Sequence, residues 1–287
     1  MKKILKFTKP QVQKAPFVFD SPHSGTRYPD SFSFICDVRD LRRSEDMYVD
    51  QLFSSVVEQG IPFLKAFSAR SFIDLNRAPI AKNNAERKFG LVRLLSTPQK
   101  RKPIYDTPVT EKEIQERIDQ YHKPYHDKLK KLVENTQKSF GRSYLINCHS
   151  MPSRRMNGDK NPYDIILGDS NGKTCSDAFT KLVAQELSKM GYNVGINIPG
   201  YRGAYIVHKY SDLKENKNAL QIEINRSLYM DETNFQKTVG FKALKKDLEH
   251  LLQKMISYDQ KLYPTHNKKE PYCPKRRIDS LKKHPFL

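Results

Sequence analysis

Cysteine is scarce in this chain of 287 residues, and long apolar runs are missing. The four cysteines, Cys36, Cys148, Cys175 and Cys273, are widely separated and form no CxxC pair. This spacing argues against a disulfide framework and against a thiolate zinc cluster. No apolar stretch approaches the roughly 18 residues that a membrane-spanning helix needs, so we exclude an integral membrane protein.

The N-terminal segment resembles the beginning of a secretion signal but is too short in apolar residues to be one. After the opening MKKILKF, the residues Lys9, Pro10 and Lys14 interrupt the stretch before any cleavage site. Secretion signals need an apolar core of about 7–15 residues. We therefore predict a cytoplasmic protein.

Acidic residues are also in deficit, with Lys+Arg 51 against Asp+Glu 32 and a formal net charge of +19. The basic residues are mostly Lys and are spread along the whole chain, without the interleaved aromatic residues of a single-strand binding surface. No zinc finger or basic zipper is visible. We interpret the charge as a solvated surface, which argues against a nucleic-acid partner. Such a surface raises the local concentration of small anionic substrates.

The rest of the composition is typical of a folded α/β protein. Hydrophobic residues make up 37% of the chain, and this length is ample for a buried core. Residues 1–262 are predicted to form a single domain, followed by a basic, Pro-containing tail over 263–287. Short apolar runs that end in polar turn residues predict strands at 16–20, 70–74, 143–148, 164–168 and 219–223. Helical spacing predicts helices at 44–60, 110–140 (bent or divided near Pro124), 176–190 and 235–262. Strands that alternate with helices indicate helices on the faces of a sheet.

Several residues with metal-binding or acid–base chemistry are predicted to lie at the ends of these strands, where sites form in α/β sheets. They are His23, Asp74, His149 and Glu223, with Asp46 near the start of the helix after the first strand. Two histidines and one carboxylate make a common zinc set that leaves a fourth position for water. A further carboxylate can then take a proton.

The spacing alone leaves other interpretations open, because no HExxH motif is present. His23 could be a turn residue, His149 a histidine of the core, and Asp46 a partner for the helix dipole. Asp74 with Arg77, and Glu223 with Arg226, could form structural ion pairs.

The order of the motifs along the chain resembles a known family. From Phe17 to Glu232 the chain carries SPHSGTRYP, EDMYVDQLF, RSFIDLNRAP, KPYHDKL, NCHSMPS, ILGDSNGKTC, YRGAYIVHKY and LQIEINRSLYMDE in succession. Together these segments resemble the N-formylglutamate amidohydrolase family. The resemblance implies an α/β fold with a mixed central sheet and helices on both faces, similar to the zinc carboxypeptidases. It also implies a metal-dependent enzyme.

Carried over residue by residue, the resemblance implies roles at the site. It assigns one Zn²⁺ to His23, Asp46 and His149, with Glu45 or Asp50 as alternatives to Asp46, and makes Glu223 the general base. Asp74 and Asn76 resemble residues that orient the ligands, and Arg77, Arg202 and Arg226 are candidates for binding substrate carboxylates. His126 is interpreted as a helix-packing or ligand-orienting residue. The chain departs from the family at Ala204, where a glycine is usual, and at His208, where an arginine is usual.

The function implied is hydrolysis of the amide of N-formyl-L-glutamate or a close N-acyl acidic amino acid, which releases formate or the corresponding acid. One alternative is a deacylase or small peptidase with a different N-acyl substrate. The other is a non-catalytic basic binding protein on a hydrolase scaffold.

Overall fold

The strands form one mixed sheet in the computed structural model, which describes residues 4–80, 90–97, 101–155 and 157–264. Its order is β1-β3-β2-β4-β7-β5-β6. Strands β3, β2, β4 and β7 are parallel, β1 and β5 run antiparallel to their neighbours β3 and β7, and β6 is parallel to β5. The strands are β1 Leu5–Thr8, β2 Phe17–Ser21, β3 Phe63–Ala66, β4 Ser143–Met151, β5 Ile165–Gly168, β6 Val194–Ile196 and β7 Lys217–Asn225.

Helices cover both faces of this sheet. They are α1 Val38–Arg42, α2 Val49–Leu52, α3 Glu111–Arg117, α4 Lys123–Phe140, α5 Asp177–Lys189, α6 Tyr205–Tyr210 and α7 Gly240–Leu262; a small hairpin, β8 Met230–Asp231 and β9 Gln236–Lys237, precedes α7. One apolar core joins alternate sheet residues to α2, α5 and α7, and the second joins the intervening residues to α1, α3, α4 and α6. The predicted mixed sheet with helices on both faces is confirmed.

The face of the sheet that packs against α1, α3, α4 and α6 changes from apolar to polar along the three strands β2, β4 and β7. Because successive side chains of a strand alternate between faces, Val18, Leu145 and Ala219 belong to the core beneath α4 and α6. Further along the same strands, the same face carries Asp20, then Asn147 and His149, then Gln221 and Glu223. Asp20 is paired in register with Asn147, and His149 with Glu223. The parallel strands therefore bring a row of buried polar side chains to one edge of the sheet.

Most of the predicted elements are confirmed. The strands at 16–20, 143–148, 164–168 and 219–223 correspond to β2, β4, β5 and β7, and the helix at 176–190 corresponds to α5. The segment 110–140 forms α3 and α4, joined by a π-helical turn over Ile118–His122, immediately before Pro124. Thr110 begins it with a capping box to Glu113, which satisfies otherwise unpaired amide groups.

Two predicted elements are wrong. Residues 70–74 form turns, and the strand of this region is β3. Phe72 and Ile73 are buried in the core although they are not in a strand. Their apolar side chains therefore predict a strand that does not form. The predicted helix at 44–60 consists only of α2 and a 3₁₀ turn at Ser54–Val56, because Tyr48 takes a left-handed conformation (φ 65°) that interrupts it.

The last helix begins later in the chain than predicted. α7 begins at Gly240, five residues later than predicted, because the hairpin of β8 and β9 occupies the preceding residues. From residue 265 onward the predicted tail lies outside the described residues. Among the described helices, none has the length and apolar character needed to cross a membrane.

Candidate metal centre

His23 lies in the turn that follows β2, and this turn is packed closely against a neighbouring segment. A side chain at Gly25 would overlap the backbone of Phe67 and Ser68, so only glycine allows this approach. The backbone amide of Asp46 donates to the carbonyl oxygen of His23 at 2.9 Å. The turn and the segment before α2 are thereby held together, with both side chains directed to one place.

Three predicted ligands meet at that place. The Oδ2 atom of Asp46 lies 3.0 Å from Nδ1 of His149 and 3.5 Å from Nδ1 of His23. Each of the three residues offers one ligand atom, and these atoms lie within 4.8 Å of one another. All three side chains are buried, so the group is shielded from bulk water.

The structure fits a cation at this position. The Nδ1 atom of His23 is buried and has no hydrogen-bond partner, which is costly unless another group uses its lone pair. Its other ring nitrogen, Nε2, lies 2.6 Å from Oδ1 of Asp74. A histidine whose far nitrogen donates to a carboxylate is the usual arrangement of a metal ligand.

The electrostatics of Asp46 and Asp74 also fit. Although burial raises the pKa of Asp46, the hydrogen bond with His149 and the nearby ring of His23 hold that pKa well below its usual range. Burial likewise raises the pKa of Asp74, but the charge of Arg70, whose Nε donates to Oδ2 at 2.9 Å, reverses the shift. Burial lowers the pKa of His149 to about 4. The neutral imidazole of His149 and the ionised carboxylate of Asp46 are in the forms that bind a divalent cation.

Glu223 lies beside this group on the neighbouring strand. It is paired in register with His149, and Nε2 of Gln221 donates to its Oε1 at 2.9 Å. Burial, and then the negative charge of Asp46, raise the pKa of Glu223 well above its usual range. A carboxylate with a raised pKa next to a metal group is a candidate for proton transfer.

Arg226 is buried against Asp46 rather than directed away from it. Its Nη2 donates to Oδ1 of Asp46 at 3.2 Å, its Nε to Ser150 Oγ at 3.1 Å, and its Nη1 to the carbonyl oxygen of Arg43 at 2.8 Å. Ser150 Oγ also donates to Oδ1 of Asp46, at 3.1 Å. One oxygen of Asp46 is thus held by neighbours, and the other faces the two histidines. Arg226 also lines a cavity of about 300 Å³, whose other lining residues include Arg42, Arg43, Arg154 and Phe235.

The segment that carries Asp74, Asn76 and Arg77 is held by two histidines of the π turn and α4. His122 Nε2 donates to the carbonyl oxygen of Arg77 at 2.9 Å, and His126 Nε2 to that of Leu75 at 2.8 Å. The two rings stack with their centroids 4.1 Å apart. The interpretation of His126 as a packing and orienting residue agrees with these contacts. Asn76 reaches the site itself, with Nδ2 3.1 Å from His149 Nε2.

The other predicted residues lie elsewhere. Glu45 is hydrogen-bonded by Tyr28, and Asp50 is paired with Lys65; neither belongs to the His–Asp–His group. Arg202 is exposed, and its Nε donates to the carbonyl oxygen of Asn197 at 3.2 Å. The departures are next to each other in the fold: Ala204 precedes α6, and His208 contacts Ser170 Oγ at 2.9 Å.

Sequence reasoning missed two residues that contact the site, Asn147 and Arg70, and one buried arginine, Arg93, whose charge interacts with that of Asp74. Asn147 contacts His149 and lies two residues before it, so the period of the strand was a usable signal. Arg70 lies four residues before its partner Asp74. The segment 70–74 is predicted to be a strand, and in a strand two residues four positions apart are too distant to form an ion pair. Arg93 is buried, and burial and the positive charge of Arg70 lower its pKa to about 9. No local pattern marks Arg93.

Comparison with known proteins agrees with this site. A profile described as N-formylglutamate amidohydrolase matches residues 15–230. The N-formylglutamate deformylase of Pseudomonas putida is 27% identical over 241 residues, which cover 81% of this chain and 87% of that protein. That of Pseudomonas aeruginosa is 24% identical over 257 residues, with coverages of 81% and 87%. The crystal structure of the N-formylglutamate amidohydrolase of Ralstonia eutropha JMP134 has a TM-score of 0.82 and 33% identity, covering 90% of this chain and 99% of that one. The chain therefore belongs to the N-formylglutamate amidohydrolase family.

Proposed function

We propose that this protein hydrolyses the amide of N-formyl-L-glutamate, or of a close N-acyl acidic amino acid, to release formate, or the corresponding acid, and the free amino acid. The observation that carries the proposal is the buried His23–Asp46–His149 group beside Glu223. Family membership and the names of the two Pseudomonas relatives support the substrate.

We further propose Zn²⁺ as the cation of this group. His23 and His149 would each bind it through Nδ1, because their Nε2 atoms already contact Asp74 and Asn147, and Asp46 would bind it through Oδ2. A zinc ion in such a site acts as a Lewis acid toward an acyl carbonyl and makes water more acidic. Nitrogen and carboxylate ligands suit this borderline cation.

Glu223 is proposed as the general base and general acid. It accepts a proton from the water that attacks the formyl carbon, and it delivers that proton to the leaving nitrogen as the C–N bond breaks. The raised pKa of Glu223 suits a group that must take up a proton and release it again. The register pairing of Glu223 with His149 supports this role, because it brings Glu223 close to the proposed cation ligands.

Arginines are proposed to select an acidic substrate. Arg77 is half-buried on the segment that also carries the ligand partner Asp74, and guanidinium groups bind carboxylates bidentately. Arg226 is proposed to fix Asp46, since its side chain already contacts that carboxylate. Arg202 remains a proposed substrate ligand on the exposed loop before α6.

The test compares three substrates of the zinc-loaded full chain by the acid that each releases: formate from N-formyl-L-glutamate and from N-formyl-L-glutamine, and acetate from N-acetyl-L-glutamate. The glutamine compound is nearly the same size and lacks only the side-chain charge. We expect a kcat/KM about 10²-fold or more in favour of the acidic substrate, because a site built to bind a carboxylate leaves its donors unpaired with the amide. A chelator should abolish the release and added Zn²⁺ restore it.

The outcomes separate the alternatives. Faster release of acetate from N-acetyl-L-glutamate than of formate from N-formyl-L-glutamate would favour a deacylase with a different N-acyl substrate. No hydrolysis of any of the three by protein shown to hold zinc would contradict the proposed function.

A further inference from the structure

A chain of buried hydrogen bonds runs from α4 through the sheet to His149. The hydroxyl of Tyr125 donates to Oδ2 of Asp20 at 2.9 Å. Nδ2 of Asn147 donates to Oδ1 of Asp20 at 2.8 Å, and Oδ1 of Asn147 lies 2.7 Å from Nε2 of His149. All four side chains are buried, so none of these contacts is replaced by bulk water.

The direction of these hydrogen bonds is set at both ends of the Asn147 amide. Burial raises the pKa of Asp20 to about 7. Above that pH Asp20 is a carboxylate, which only accepts hydrogen bonds, so it requires the NH₂ of Asn147 on its side and turns the amide oxygen toward His149. Asn76 gives the same result independently. Its Oδ1 accepts the backbone amide of Ile206 at 2.8 Å, so its Nδ2 faces Oδ1 of Asn147 at 3.3 Å. A reversed Asn147 would place two NH₂ groups against each other.

The oxygen of Asn147 is the acceptor that His149 needs when it binds a cation. If Nδ1 of His149 gives its lone pair to a cation beside Asp46, then Nε2 must carry the hydrogen. That hydrogen has Oδ1 of Asn147 to donate to. If this oxygen were removed, the hydrogen on Nε2 would face the NH₂ of Asn76, which lies 3.1 Å away and is itself a donor.

We propose that Asn147 is a positioning residue that selects the Nε2–H tautomer of His149 and thereby leaves Nδ1 available to the cation. Asp20 and Asn76 fix the orientation of Asn147, and Tyr125 in turn fixes Asp20. The inference rests on the proposed cation site, but it concerns the tautomer of one ligand rather than the substrate or the reaction.

The first test measures zinc affinity by competition with a chromogenic chelator. Asn147→Ala should bind Zn²⁺ about 10–100-fold more weakly than wild type, as is typical when the partner of a metal-bound histidine is removed. Asn147→Asp combined with Asp20→Asn keeps an acceptor oxygen toward Nε2 and an NH₂ opposite the new carboxylate, so this double variant should restore most of the affinity. Asp20→Asn is the matched control, because its amide oxygen can still accept from Asn147; its affinity should stay close to wild type.

Each result decides the proposal. Wild-type affinity in Asn147→Ala would overturn it, and so would an equal loss in Asp20→Asn, which would indicate general disturbance of the buried hydrogen bonds. If wild type itself binds no zinc, the proposed cation site fails and the tautomer assignment with it. Loss of affinity in Asn147→Ala with rescue by the double variant Asn147→Asp, Asp20→Asn supports the proposal whatever the substrate is.

A second measurement stands even if Asn147→Ala does not fold. Nitrogen-15 correlation spectra of the histidine side chains in the zinc-loaded wild type report which ring nitrogen carries hydrogen. We expect a protonated Nε2 and a zinc-shifted Nδ1 for His149. Coordination through Nε2 would overturn the proposal directly.

Discussion

Glu223→Gln is expected to keep the bound cation and to lose turnover by about 10²–10⁴-fold, the usual contribution of a general acid–base residue. Glutamine has nearly the shape of glutamate, so the contact with Gln221 and the packing against β4 can persist. It cannot accept the proton of the attacking water, however, and it cannot return a proton to the leaving nitrogen. The loss should therefore appear mainly in kcat, with a smaller change in KM.

The measurement is steady-state formate release together with zinc content for each protein. Glu215→Gln is the matched control, because Glu215 is exposed in the turn before β7; it should retain wild-type turnover. If Glu223→Gln kept near-normal kcat, the base would have to be another residue. If it lost zinc as well as activity, Glu223 would belong with the ligands.

His149→Ala is expected to remove the cation. The substitution takes away one of three protein ligands and leaves Oδ2 of Asp46 with a single imidazole neighbour, His23. The loss of affinity should exceed the 10–100-fold typical of changes to residues that only orient a ligand, and it should exceed that of Asn147→Ala. Formate release should fall with the zinc content.

Elemental analysis after zinc loading and dialysis into metal-free buffer gives the zinc content of the variant. His250→Ala is the matched control, since His250 is exposed on α7, and it should hold as much zinc as wild type. Full zinc occupancy in His149→Ala would contradict the ligand assignment. Thermal unfolding without zinc should be compared as well, because His149 also contacts Asn147 and Asn76.

The sheet could be predicted from local sequence where strands are fully buried. β2, β4 and β7 contain short apolar runs that end in polar residues, visible in FVFD, YLINCH and LQIEIN, and the last of these alternates at every residue. Since parallel strands end at one edge, the same pattern predicted that His23, His149 and Glu223 would converge. The structure confirms that His23 and His149 meet, and it places Glu223 on the strand beside His149.

The segments around Asp46 and Asp74 could not be predicted in the same way. Asp46 was expected in the first turn of a helix, but it precedes α2, and its amide is bonded to His23 instead of to a helical carbonyl. Asp74 was expected at a strand end, but it lies among turns held by Arg70, His122 and His126. In both segments, tertiary contacts determine the backbone, and a local pattern carries no information on partners this far away in sequence.

The choice of Asp46 over Glu45 and Asp50 depended on the family resemblance. All three carboxylates lie within a stretch of six residues, so composition could not separate them. The structure separates them by their partners: Tyr28 contacts Glu45, Lys65 contacts Asp50, and the two histidines face Asp46.

The most direct test of the cation site is anomalous diffraction at the zinc edge from crystals of the zinc-loaded full chain. We expect one strong peak about 2.0–2.2 Å from Nδ1 of His23, Nδ1 of His149 and a carboxylate oxygen of Asp46, with Glu223 nearby but not coordinated. A peak bound by Glu45 or Asp50, or no peak between His23 and His149 in crystals that contain zinc, would contradict the account.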